Sequence, residues 1–354
     1  MNKRTPVVEA NELAIDLAKN VFEVVGGDGR GQELWHRRLS TRQAFERFLD
    51  RLTPPMSVGM ETGPGAQAWG RRLQARGIAV KILPAHSVKA HGHRMKNDLN
   101  DARTILRAMH DRDICPVPVK SEAQLTLQFQ HRVRAGCISR RTAVSNQLRA
   151  ALLEYGLATG RGEAALKKRV DNVLRGECAV PDALIVSIEE SMVEWRALDE
   201  RIAKITARLT LLARQDETAQ RLCTIPGVGP VIATAIVAKG LDPARFKNSR
   251  LCSAYLGVIP EQHGTGGRVH LGKMSRRGDA YLRSLFLQGA HSVVQRVRSD
   301  TTDALSCRIR RWQDRHGEKG AAVRLVNHTI RVVWAMLSQG TGYRADLAQA
   351  AMTD

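Results

Sequence analysis

ELAIDLA at residues 12–18 and SVGME at residues 57–61 each run apolar and then reach an acid, Asp16 in the first and Glu61 in the second. Leu13-Ala14-Ile15 and Val58-Gly59-Met60 read as buried strands, so each carboxylate stands where a strand surfaces. Around them the chain alternates strand and helix as far as residue 119. ELAIDLA, VFEVVG and ELWHRRLS give three short strands, with GGDGRG as a hairpin-type connection between the second and third. A helix from Thr41 to Leu52 follows, capped by Ser40 or Thr41. Next come the strand SVGME, a helix from Gly65 to Arg76, and the strand GIAVKIL. Three antiparallel strands followed by β-α-β steps describe a ribonuclease-H-like layer of mixed sheet and helices, in which the acids of the first and fourth strands lie side by side.

Two further acids, Asp98 and Asp101 in RMKNDLNDAR, are spaced three residues apart at the start of a helical stretch, so they share one helix face. Four converging carboxylates repel one another unless a cation sits among them. One or two hard, oxygen-loving divalent ions resolve that conflict, and such ions serve phosphodiester chemistry.

Composition agrees with a nucleic-acid substrate. The formal net charge is +20 on 354 residues, a field that attracts polyanions and exceeds what solubility asks for. With 43% apolar residues the length suffices for two or three domains with sizeable cores. The six cysteines form no CxxC and no short Cys/His spacing, which argues against zinc and against a disulfide framework. The N-terminal sequence has no signal-peptide core and no apolar run approaches the length of a membrane span, so a cytoplasmic location is expected.

The linker from His86 to Asn97 holds His86, His91 and His93, but no fourth ligand accompanies them. A basic segment including Lys96 that guides phosphates to the acids is the expected reading. From Ser121 to Leu157 the pattern is helical, with Arg132, Arg134, Arg140, Arg141 and Arg149 loading the exposed faces and only Glu154 opposing them near the far end, and this suits phosphate contact. A second long helix runs from Pro181-Asp182 to about Arg214. Trp195, Leu198, Ile202, Ile205, Leu209 and Leu212 make a coiled-coil seam on it, for a partner in the same chain or in another subunit. Two long helices separated by a polar stretch suggest a helical projection.

Beyond Leu222, CTIPGVGPVIATA reads as a helix-hairpin-helix-like element whose Gly227 and Gly229 let backbone N–H groups face a phosphate. Gly264–Arg268 reads as a mobile loop leading to KMSRRGD. From Arg268 to Arg331 there are fourteen Lys/Arg against five Asp/Glu, a second nucleic-acid surface.

Taken in order, AIDLAKN, METG, KNDLNDA, IPGVGP, AYLGVIP and GTGGR leading into MSRRGDAYLR resemble the DEDD-type transposases of insertion sequences, relatives of the pilin-gene invertase, over almost the whole chain. The resemblance implies a RuvC-like catalytic domain over 1–119, a helical coiled-coil region over 120–217 and a mainly helical C-terminal transposase domain over 218–354. It implies that Asp16, Glu61, Asp98 and Asp101 bind Mg2+. It implies a hydroxyl nucleophile in the C-terminal loop, where this chain carries Thr265 in place of the family serine. A structured guide RNA, donor and target DNA, and a homo-oligomer (dimer or tetramer) are the implied partners. Arg268, Lys273, Arg276 and Arg277 are expected to hold the DNA backbone. The competing readings are a junction-resolving nuclease that forms no covalent link and a nucleic-acid-binding protein with a degenerate site.

Overall fold

In this computed structural model, residues 10–92, 97–265, 268–298 and 300–344 are described. The chain divides into two compact units, Met1–Glu122 and Ala123–Asp354.

The first unit is a five-stranded sheet with helices on both faces. Its strands are β1 (Glu12–Leu17), β2 (Phe22–Gly27), β3 (Glu33–Leu39), β4 (Ser57–Glu61) and β5 (Ala79–Leu83), in the order β3-β2-β1-β4-β5. β1 pairs antiparallel with β2 and parallel with β4, so the expected juxtaposition of the first and fourth strands is present. The helices are α1 (Arg42–Leu49), α2 (Ala66–Gln74), α3 (Ala85–Ala90) and α4 (Asp98–Ala108).

Strand alternation assigns the two faces. Leu13, Ile15, Val58 and Met60 point into a core with Phe45, Phe48, Trp69 and Leu73 from α1 and α2. Ala14 and Val25 point the other way, into a core with Ala102, Ile105 and Leu106 of α4 and with Met109. Gly59 shares that second face, where a Cβ would fall 2.3 Å from the Met109 sulfur, so only glycine lets the segment after α4 pack this close. Asp16 follows Ala14 and Glu61 follows Gly59 at period two. Both acids therefore lie on the face that α4 covers.

The second unit is mostly helical: α5 (Glu122–Glu154), α6 (Glu163–Leu174), α7 (Asp182–Gln215), α8 (Glu217–Leu222), α9 (Pro230–Lys239), α10 (Ser249–Tyr255), α11 (Ala280–Val294) and α12 (Ala304–Gln339), the last interrupted by a non-helical Gly317. The α7 seam is filled from within the chain. Ile188, Met192, Trp195 and Leu198 pack with Cys137, Val144, Leu148 and Leu152 of α5 and with Leu166, Val170 and Val173 of α6. The stretch read as polar thus contains a helix whose buried face has the same 3–4 spacing as its neighbours. The remaining helices enclose a separate core that includes Ile225, Ile232, Phe286, Leu325 and Ile330.

A second correction concerns the segment read as a mobile loop. Strands β6 (Pro260–Thr265) and β7 (Arg268–Met274) form an antiparallel hairpin in which Gly264 pairs with Val269 and Thr265 with Arg268. Among the described residues, no helix is long and apolar enough to cross a membrane.

Candidate active site and nucleic-acid interface

Asp16 and Glu61 end neighbouring parallel strands, one step past the pair Ile15 and Met60. Asp98 opens α4 and Asp101 lies one turn further on. The Asn97 side chain caps this helix by accepting the Asn100 amide at 2.7 Å, and acids in a first turn face the positive end of the helix dipole. Asp16, Glu61 and Asp101 line a cleft of about 550 Å³ together with Thr62, Lys89 and Thr104. Asp98 is exposed beside it.

The neighbouring acids act on Asp16. Burial, then the charges of Asp101, Asp98, Glu61 and Glu23 in that order, push the Asp16 pKa up to about 6. Glu23 is the acid that sequence reading missed. It is buried directly opposite Asp16 in the β1/β2 pair and lies 3.5 Å from Arg38. Only the hairpin register discloses it.

The donor set suits a hard divalent cation, since it consists of carboxylate oxygens whose mutual repulsion a cation would relieve. Among the described residues no three His, Cys, Asp or Glu side chains are already gathered as a metal site. Thr62 and Thr104 are tied to the backbone: Thr62 accepts the Ala85 amide at 3.1 Å and Thr104 donates to the Asn100 carbonyl at 2.7 Å.

In the linker between β5 and α4, His91 Nε2 lies 2.9 Å from Asp111 and His86 is exposed. Lys96 and His93 lie outside the described residues.

The arginines of α5 separate into two groups. Arg132 and Arg140 are exposed. Arg134 donates to Thr206 at 2.9 Å. Arg141 is ion-paired with Glu163 of α6 and Asp199 of α7 and sits 5.3 Å from the Trp195 ring centroid. The Arg149 guanidinium donates to Ser145 and to the Gly162 carbonyl. Acids distant in sequence therefore oppose Arg141, which the count along α5 alone overlooked.

The two hairpin glycines also differ. Gly227 has φ +84° and packs against α11, where a Cβ on Gly289 would fall 2.1 Å from the Gly227 carbonyl oxygen. Gly229 is exposed as the N-cap of α9, ahead of Pro230, with open space where a Cβ would be.

The SRRGD loop is built rigidly. A Cβ on Gly257 would lie 1.8 Å from the Arg277 carbonyl oxygen, and one on Gly278 would lie 2.0 Å from that of Tyr255. The Arg276 amide donates to the Gly257 carbonyl at 3.1 Å, and Arg276 itself has φ +54°. The loop displays exposed Arg276 and Arg277 next to exposed Lys273. A non-glycine residue held at positive φ and facing solvent is a conformation that marks working loops. The backbones of Thr265 and Arg268 face each other at the end of the β6/β7 ladder.

Comparison with known proteins adds to this geometry. Residues 13–157 match a DEDD transposase profile of the IS110 type, and residues 219–306 match the "Transposase IS116/IS110/IS902 family". The chain is 37% identical over 336 residues to a "Probable family 20 transposase" of Pseudomonas aeruginosa, covering 94% of this chain and 98% of that one. It is 32% identical to the "Transposase for insertion sequence element IS1328" of Yersinia enterocolitica, covering 93% and 97% of the two chains. The "Transposase for insertion sequence element IS1111A" of Coxiella burnetii is 30% identical, at 97% and 93% coverage.

Proposed function

Since the chain belongs to the insertion-sequence transposases of the IS116/IS110/IS902 family, enzymes that cut DNA and transfer its strands, we propose that Asp16, Glu61, Asp98 and Asp101 are its catalytic acids. The observation that carries this reading is geometric: Asp16 and Glu61, at the ends of paired strands, line one cleft with Asp101, and Asp98 shares the first turn of α4 with Asp101. In this reading 1–119 is a RuvC-like domain, 120–217 is a helical coiled-coil region, and 218–354 is a transposase domain.

The four carboxylates would hold one or two Mg2+ ions, which supply Lewis-acid polarisation of the scissile phosphate. Asp16 and Glu61 would act from the fixed ends of paired strands and Asp98 and Asp101 from the first turn of α4. The Thr265 hydroxyl attacks phosphorus, the P–O3′ bond breaks, and the hydroxyl proton ends on the released 3′ oxygen. The linkage to threonine conserves the bond for rejoining. Arg268, Lys273, Arg276 and Arg277 neutralise the backbone phosphates during this exchange, aided by Lys96, Arg132, Arg140 and the exposed amide face at Gly229. Arg134, Arg141 and Gly227 have internal partners that account for them, and their part is to hold the scaffold. A structured guide RNA would select donor and target DNA, and a homo-oligomer would bring the two together.

Trapping tests the covalent step. Nicked suicide DNA carrying the element's ends should yield a protein–DNA adduct with the wild type and with Thr265→Ser, and none with Thr265→Ala. Cleavage without any adduct would replace this mechanism with a hydrolytic, junction-resolving one.

A further inference from the structure

The second unit contains another cavity, of about 290 Å³, where α5, α9 and the start of α11 meet. Methyl groups of Ala135, Ala235, Ala238 and Ala280 line it, with the Tyr281 ring, the Gln128 amide and the exposed Arg132 alongside.

The aromatic wall is fixed by a hydrogen-bond chain whose proton order can be worked out. Thr234 Oγ1 lies 2.7 Å from the Pro230 carbonyl, a pure acceptor, so the threonine proton goes there. Its oxygen then accepts from His131 Nε2–H at 3.1 Å, which leaves Nδ1 to accept the Tyr281 hydroxyl proton at 3.0 Å. Burial holds His131 down to about 4, so this imidazole is neutral, and burial pushes the Tyr281 phenol upward. The proton therefore stays on tyrosine. The chain is a latch that sets the ring's orientation, and it does not generate a phenolate nucleophile.

The chemistry of the lining identifies the class of ligand. A free phosphate would need convergent unpaired donors, but Lys239 is ion-paired with Asp279, whose other oxygen accepts the Leu282 amide at 2.8 Å to cap α11. Four alanine methyls offer no donors at all. A small, mainly apolar slot with one aromatic wall and one side-chain amide suits a planar heterocycle, and a cation next to it suits a phosphate attached to that ring. We propose that this cavity takes up an unpaired nucleobase of a DNA strand, with Arg132 on the adjoining phosphate. The inference rests on the family's action on DNA and is independent of the four acids.

The test uses full-length protein and a DNA duplex carrying one extrahelical 2-aminopurine, compared with the same duplex carrying an abasic bulge. The wild type should bind the base-containing bulge more tightly on the order of tenfold, the scale of base–aromatic stacking, and should change the 2-aminopurine fluorescence. Ala135→Met, which fills the cavity, should bring the two affinities together while fully paired DNA binds as before. Gln128→Ala, a change on the side of α5, should shrink the ratio as well and serves if Ala135→Met unfolds. Asp16→Asn should keep the full preference. Equal wild-type affinity for the two bulges, or an unchanged preference in a folded Ala135→Met protein, overturns the proposal. Preference for the bulge only in an RNA duplex overturns the assignment to DNA.

Discussion

Asp16 and Glu23 face each other across the β1/β2 pair on the side of the sheet that α4 covers, Glu23 buried and Asp16 half-buried at the cleft. Burial, with the charges of Asp101, Asp98, Glu61 and Glu23 added in that order, makes ionising Asp16 costly and pushes its pKa up to about 6.

The sign of that shift fixes the pH dependence. A carboxyl whose folded-state pKa is raised favours the folded state at low pH, and this contribution is lost as pH rises from the ordinary carboxylate range through about 6. Asp16→Asn removes the penalty. It should raise stability at pH 7.5 by roughly 1 kcal/mol after allowance for solvent screening, and by much less at pH 4. Mg2+ should raise the wild-type Tm at pH 7.5 and leave that of Asp16→Asn nearly unmoved, as read by differential scanning calorimetry.

His131 and His328 predict the opposite behaviour for the second unit. Burial lowers both to about 4, so the unfolded chain takes up protons first as pH falls below about 6.5. Their stabilising contribution is complete above 6.5 and declines toward 4, costing about 1–2 kcal/mol by pH 5.5. Urea titrations at pH 7 and 5.5 should show this loss, and His131→Gln should reduce it.

The glycine lock beneath Arg276 and Arg277 is testable by one methyl group. Gly257→Ala places a Cβ against the Arg277 carbonyl at a backbone φ of +70°, and should destabilise the protein by about 2 kcal/mol or more in urea titration. DNA affinity should fall with it, because the arginines lose their fixed presentation.

Salt dependence tests the basic surface. Replacing Arg276 and Arg277 together with alanine should lower the slope of log K against log salt by about 2 on duplex DNA. Arg141→Ala should leave that slope unchanged, since its guanidinium is held by Glu163 and Asp199.

What could be read from the sequence was whatever depends on local period. The apolar runs in ELAIDL and SVGME, each closed by an acid, place Asp16 and Glu61 on strand ends, and the three-residue spacing places Asp98 and Asp101 on one turn of α4. What escaped depends on pairing between distant segments. Glu23 joins the acids only through the hairpin register, and Arg141 meets its acids only once α6 and α7 pack on α5. Helix α6 itself was obscured by Lys167, Lys168, Arg169 and Asp171, which made the segment look uniformly polar although Leu166, Val170 and Val173 are buried. Gly227 looked like a phosphate contact because a tight turn and a close helix approach both call for glycine.

The central claim is that the four acids do the cutting. Excision of the element from a plasmid in cells measures it directly, with DNA binding by each purified variant as the control. Asp16→Asn, Glu61→Gln and Asp101→Asn should each lower excision by about a hundredfold or more while DNA affinity stays within about twofold, as loss of transition-state charge stabilisation requires. Excision at the wild-type level in Asp16→Asn or Glu61→Gln would contradict the account.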